Sequence, residues 1–172
     1  MPYTIRPLEP EDAAGIAALR RMPGVFENTM GLPSHRTEDS AAFIDSLDEY
    51  AHQFVAEAED GTIIGLAGIM LRANPRTRHV GSVGIMVHTD WQNQGVGTAL
   101  MERILDLADN WLLLVRVELE VFADNPRAIH LYEKMGFEME GCRRMAVVKN
   151  GGYVDEYVMS RIRRPGETTS AE

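Results

Sequence analysis

Cysteine is nearly absent: Cys142 stands alone in 172 residues. No internal disulfide can form, and a reducing, cytoplasmic setting is expected. No apolar run approaches the ~18 residues of a membrane span. The opening stretch, MPYTIRPLEPEDAA, lacks the apolar core of a secretory signal. Basic residues are outnumbered, with 17 Lys plus Arg against 26 Asp plus Glu and a net charge of -9. That balance argues against a nucleic-acid partner, because non-specific binding replaces phosphate counterions with protein cations. It favours cationic ligands only weakly. His35, His52, His79, His88 and His130 form no i,i+4 pair and no Cys-His cluster, so no metal is expected. Internal repeats and linkers are also missing. Hydrophobic residues nonetheless make up 45% and charged residues 25%, an ordinary globular balance at a length that suits one domain. That domain is expected over 1–162, with the polar stretch 163–172, carrying Pro165 and Gly166, as a flexible tail.

The rest of the chain alternates between two hydrophobic periods. Tyr3 to Pro7 reads as a short strand. Pro10, Glu11 and Asp12 open a helix, with acids at its positive end and an apolar stripe of Ala13, Ile16, Ala17 and Leu19. Positions 22–36 hold Pro23, Gly24, Gly31 and Pro33 and read as a loop. Thr37 is placed to cap a second helix reaching Tyr50, with Phe43, Ile44 and Leu47 on one face. Strands follow over 53–57 and 62–71, joined by the Asp60-Gly61 turn, and over 79–88. The next helix carries Val96, Leu100, Ile104, Leu107, Ala108 and Trp111 at helical spacing. A strand over 116–122 leads to a helix opened by Pro126 and closed at Gly136. Two last strands, 137–149 and 152–162, flank Asn150-Gly151, a strong hairpin signal. The order βααβββαβαββ describes an α/β protein with a mixed (α+β) sheet, not a pure Rossmann winding.

Between the strand at 79–88 and its helix lies Gln92-Asn93-Gln94-Gly95-Val96-Gly97-Thr98. Paired glycines let a ligand approach the backbone. The first amides of the helix have no internal partner and sit at its positive end. Together they suit a phosphate or pyrophosphate. No GKS or GKT follows, and the spacing is not GxGxxG, so triphosphate-loop and dinucleotide classes are excluded. On spacing alone, glycines that merely serve helix packing explain the turn equally well.

About thirty residues later stands Asn125-Pro126-Arg127-Ala128-Ile129-His130-Leu131-Tyr132-Glu133-Lys134-Met135-Gly136-Phe137. The pair Q-x-x-G-x-G and N-x-x-A-x-x-L-Y-E-K-x-G-F resembles the GCN5-related N-acetyltransferase (GNAT) family, and the element order resembles the GNAT acyl-CoA N-acyltransferase fold. Segments outside the shared motif, Phe26-Glu27-Asn28-Thr29, Arg78-His79-Val80, Gly84-Ile85, Asp109-Asn110-Trp111-Leu112 and Asn150 to Asp155, resemble bacterial L-amino-acid N-acetyltransferases.

The resemblance implies acetyl-CoA as co-substrate and direct attack of an amine in a ternary complex. It implies pyrophosphate on the turn from Gln92 through Thr98 and a pantetheine arm along Ile85, Met86 and Val87. The amide of Val87 is the donor expected at the thioester oxygen. Asn125 is expected on the pantetheine arm or the acceptor, although Asn before Pro126 also suits an N-cap. Tyr132 is the acid expected for the leaving sulfur, although it also reads as a core aromatic. For the base, Glu120 corresponds to the position of a catalytic Glu in a related branch. His79 is the other candidate, since imidazole titrates near neutrality, and a water chain stays open. Gly81, Ser82 and Gly84 leave no carboxylate in the middle of the cofactor strand. Phe26, Asn28 and His79 are candidates for binding the acceptor, an α-amino acid by resemblance. Alternatives are a protein N-terminus, a polyamine, a phosphinothricin-like compound, or no reaction at all in an acyl-CoA sensor. Within the early loop, Val25, Met30 and Leu32 supply apolar groups, and His35 and Arg36 supply donors for a carboxylate. A homodimer is expected, with the final hairpin and Trp111-Leu112-Leu113-Leu114 as contact surface. Cys142 reads as a small apolar filler, and Met22, Met30, Met70, Met86 and Met101 mostly as core, with Met30 also placed to line an acceptor pocket.

Overall fold

The computed structural model describes residues 2–164. Its strands are β1 (Tyr3–Pro7), β2 (Ala51–Ala58), β3 (Ile63–Leu71), β4 (Val80–Val87), β5 (Arg116–Phe122), β6 (Glu138–Lys149) and β7 (Gly152–Ile162). Its α-helices are α1 (Ala13–Arg20), α2 (Thr37–Asp45), α3 (Val96–Asp106) and α4 (Pro126–Lys134). The strands form one seven-stranded sheet in the order β1-β2-β3-β4-β5-β7-β6. Every neighbouring pair is antiparallel except β4 and β5. Tight turns account for two of the antiparallel pairs: Gly61 (φ 84°) turns β2 into β3, and Asn150 (φ 49°) with Gly151 (φ 77°) turns β6 into β7. Paired positive φ values give the turn twist that matches two antiparallel strands. The α3 crossover makes β4 and β5 parallel.

That parallel contact is short. Only Val80, Gly81 and Ser82 pair with Arg116, Val117 and Glu118. Beyond Ser82 the two strands part, and a wedge opens in the middle of the sheet. Apolar layers hold both sides of it. On one face, Val96, Leu100, Met101 and Ile104 of α3 pack with Ile64, Ile69, Val117, Leu119 and Met159. On the other, Ile16 and Leu19 of α1 pack with Val25, Val55, Ile63 and Leu66. β3 is covered on both faces, which explains its nearly unbroken apolar run.

Local forces shift several expected boundaries. Helix α2 is shorter than its periodicity suggests. Asp39 accepts the Arg36 amide at 2.8 Å, so Arg36 rather than Thr37 caps the start, and the Ser46 hydroxyl donates to the Phe43 carbonyl at 2.7 Å just past the end. The helix after the glycine turn leaves α geometry at Leu107, where a π turn runs to Trp111. Trp111 is thereby rotated off the apolar stripe and stands 77% exposed. Cys142 lies exposed on the edge strand β6 and fills no core. Met30 and Met70 are also exposed, whereas Met101 is fully buried. Within the expected tail, Arg163 is held: its amide donates to the Val115 carbonyl at 2.8 Å, and its guanidinium reaches Asp109 at 3.5 Å. Positions 165–172 of that expectation lie outside the described residues. Among the described residues, no helix is long and apolar enough to cross a membrane.

Candidate active site

The wedge between β4 and β5 widens into a cleft of about 670 Å³. Strand alternation decides what β4 offers to it. The His88 amide donates to the Ile64 carbonyl of β3 at 2.8 Å. Along an antiparallel strand every second residue bonds to the same neighbour, so the amides of Ile85 and Val87 point the other way, into the gap. The Val87 carbonyl has a partner there: the Gln92 side-chain amide donates to it at 2.9 Å. The side chains of Ile85 and Val87 meanwhile pack against the core, so packing and backbone exposure coexist at these positions.

At the mouth of the gap, α3 begins. Gly95 adopts φ 84° and Asn93 φ 59°, two left-handed positions that curl the turn and aim successive amides outward. The Ala99 amide makes the first intrahelical bond, to the Gly95 carbonyl at 2.9 Å. The amides of Val96, Gly97 and Thr98 therefore precede the helix's own ladder. A Cβ on Gly97 would stand 3.3 Å from the Leu131 side chain of α4, so glycine keeps the start of α3 close to that helix without crowding. A Cβ on Gly95 would meet nothing within 4 Å; here glycine serves the left-handed backbone and leaves the approach open.

Ile85, Met86, Val87, Gln92, Asn93, Gly95, Gly97 and Thr98 line the cleft on this side. Asn125 and Tyr132 of the α4 segment, Glu120 of β5 and Asn28 of the early loop line it on the other. Four expected residues do not. Gln94 turns away to donate to the Asp90 carbonyl at 2.5 Å. Val96 is fully buried in the core and contributes only its backbone. Phe26 is half-buried in a short 3-10 turn behind the lining. His79 precedes the paired end of β4, where its carbonyl accepts the amides of Val115 and Arg116. The wedge opens at the other end of that strand, and His79 is absent from the lining.

The polar groups of the cleft have identifiable surroundings. Tyr132 is buried, with its ring 5.9 Å from that of Phe137, and burial pushes its phenol above the usual range. At neutral pH it is a proton donor, not a base. The Asn125 side chain accepts the Ala128 amide at 3.3 Å, so it caps α4 while facing the cleft. Glu120 is paired with the guanidinium of Arg143, which also holds the buried Glu156 at 2.8 Å. Glu118, on the same strand, is occupied at the closed end by Arg72 and Arg116. Burial opposes its charge, but these hydrogen bonds outweigh burial and hold the carboxyl below its usual range. Asn28 is bound at both ends of its amide, accepting from Lys149 at 3.1 Å and donating to the Gly24 carbonyl at 3.3 Å. Lys149 also grips Asp124 at 2.9 Å, so the final hairpin pins the early loop over the cleft. His35 and Arg36, the donors expected from that loop, are engaged elsewhere, with Ser40 and Asp39.

Some lining residues carry no obvious mark in the sequence. Gln53 of β2 lies across Gly68, whose missing Cβ would stand 2.0 Å from the Gln53 amide oxygen. Glu156 is visible only through its β7 register opposite Phe122. Arg20 resembles an ordinary cation at a helix C-terminus. The clue was its spacing, four residues after the buried Ile16 on the apolar face of α1.

A sheet split between parallel strands, with outward amides at a following helix start, is the architecture of an acyl-CoA-dependent transferase. The chain belongs to the acetyltransferase (GNAT) family, whose model matches residues 19–137. It is 36% identical over 162 residues to the L-amino acid N-acetyltransferase AaaT of Escherichia coli (strain K12), covering 92% of this chain and 97% of that relative. It is 32% identical over 108 residues to a spermidine N(1)-acetyltransferase of Vibrio cholerae, covering 63% of this chain and 61% of the relative. Its fold is similar to a solved spermidine N-acetyltransferase from Vibrio cholerae in complex with CoA and spermine, with TM-score 0.82 and 26% identity over 94% of this chain and 95% of that one. The protein is an acetyltransferase that acts on amines, and the family's acetyl donor is acetyl-CoA.

Proposed function

We propose that the acceptor is the α-amino group of a free L-amino acid. The observation that carries this reading is the similarity to AaaT, 36% identical over 92% of the chain. The similarity to spermidine N(1)-acetyltransferases is weaker: 32% over 63% of the chain for the Vibrio enzyme and 29% over 87% for one from Escherichia coli. The acceptor end of the cleft also has an apolar wall, formed by Val25, Met30, Phe43 and Met70, which suits a side chain rather than a chain of ammonium groups.

The residues present fit a bound acetyl-CoA. The free edge of β4 matches an amide-bearing arm, and the turn at 93–98 matches a pyrophosphate. When bound, that co-substrate supplies an acyl group activated as a thioester. The chain must take one proton from the attacking ammonium and return one to the departing sulfur. The Val87 amide donates to the carbonyl oxygen as negative charge grows there; a donor of this kind contributes about 3 kcal/mol in comparable sites. Tyr132 supplies the proton to sulfur. Glu120, which lines the cleft beside Arg143, accepts the amine proton. Asn125 holds the arm from the α4 side while it caps the helix.

The deciding experiment presents free L-amino acids, spermidine and short peptides in parallel with acetyl-CoA and follows thiol release. Turnover is expected with amino acids. Efficient turnover of spermidine or a peptide, with none of any amino acid, would overturn the assignment. We also propose a homodimer, since the exposed Trp111, Leu113, Val148 and Tyr153 leave apolar surface to cover. Light scattering at micromolar concentration should report twice the chain mass, and one chain mass would refute the dimer.

A further inference from the structure

Most ion-paired arginines of the chain have obvious carboxylate partners: Arg6 with Asp12, Arg116 with Glu140, Arg143 with Glu156 and Arg161 with Asp109. Arg20 is different. It closes α1 on the helix's buried side and lines the acceptor half of the cleft. Among the described residues no carboxylate pairs with it. Its Nε is enclosed and has no hydrogen-bond partner. Its guanidinium carbon stands 4.7 Å from the centroid of the Phe43 ring, so an aromatic face supports the fork and limits its orientation. Burial alone pulls its pKa down from the ordinary arginine value, the direction expected of a cation enclosed without a counter-ion. Nearby His35 is also lowered, by burial first and by the charge of Arg20 next. Leaving a buried donor unpaired is costly in a folded chain. An arginine held this way beside a cleft is matched by a planar anion that arrives with the ligand, because a carboxylate can take two parallel N–H bonds from the fork.

We propose that Arg20 binds the α-carboxylate of the acceptor and restricts the reaction to amines that carry one. The inference rests on the amino-acid reading above and deepens it. The same molecule then has its carboxylate at Arg20, its side chain against Met30, Phe43 and Met70, and its amine toward the β4 edge. Peptide N-termini, amino-acid amides and polyamines lack the anion and leave the guanidinium unpartnered. Discrimination by a lost charged contact is much larger than discrimination by a methylene.

The test compares L-leucine, L-methionine and L-phenylalanine with their C-terminal amides, and with spermidine, in the wild type, R20M and R20K. The wild type should prefer each acid over its amide by about 100-fold or more in kcat/KM. R20M keeps an unbranched stem for Phe43 and should lose about 100-fold on the acids, chiefly through KM, while amide turnover stays within about 3-fold. R20K retains charge without the fork and should fall between. Equal wild-type rates on acids and amides would overturn the proposal while leaving the amino-acid reading intact. So would equal losses by R20M on both substrates, which would mark a structural role. Turnover of spermidine alone, with none of any amino acid, would remove both.

Discussion

Tyr132→Phe should lower kcat by about 10²–10⁴-fold, the usual contribution of a positioned proton donor. The KM for acetyl-CoA should change little. Phenylalanine preserves the ring that packs 5.9 Å from Phe137, so the variant should fold and bind as the wild type does. The loss should fall on the chemical step, where the departing sulfur needs a proton. Burial raises the phenol's pKa above its ordinary value, so Tyr132 stays protonated through neutral and mildly alkaline pH. The sign follows: an alkaline fall in kcat below about pH 10 cannot come from loss of the Tyr132 proton. The acidic limb, which reports the proton acceptor, should survive in the variant with its midpoint unchanged. A kcat within twofold of wild type would remove Tyr132 from the mechanism and leave it as a core aromatic.

Gly95→Val should weaken acetyl-CoA binding by about 100-fold, or roughly 2.7 kcal/mol. Gly95 holds φ 84°, a conformation in which a β-branched residue is strongly disfavoured. Valine should drive the turn to negative φ, and the amides of Val96 and Gly97 would then lose their common aim. The Cβ itself meets nothing within 4 Å, so overpacking does not contribute and the fold should persist. Gly97→Leu reaches the same end by another route, because its Cβ would already press on Leu131 at 3.3 Å and the rest of the side chain must occupy the cleft. Calorimetric titration of each folded variant with acetyl-CoA reads the effect. Wild-type affinity in both would mean that the turn is helix packing and nothing more.

Much of this architecture is legible in the sequence, for local reasons. Asn150-Gly151 and Gly61 mark hairpins because their left-handed backbone angles favour few other residues. Pro126 after Asn125 marks a helix start because both residues satisfy its first turn. The glycines at 95 and 97 stand out for the same kind of reason. What escaped was set by distant parts of the chain. His79 has the place of a base candidate beside the cofactor strand in the sequence, yet the strands are paired at that end and part at the other. Arg36 and His35 had suitable chemistry, but each found a nearer partner in α2. Trp111 fits the helical period until the π turn at Leu107 rotates it outward. Arg20 and Glu156 become visible only when the early helix and the last strand meet at the cleft. Charge on an apolar helix face was the one local trace of Arg20.

We propose that the free edge of β4 and the start of α3 form one continuous backbone site for the acetyl donor. Residue-resolved amide hydrogen exchange, with and without saturating CoA, tests it most directly. Protection should rise at Ile85 and Val87 and at positions 95–98, while Met86 and His88, which face β3, stay as they were. Unchanged exchange at Ile85, Val87 and the turn, with CoA-dependent protection elsewhere in the sheet, would contradict it.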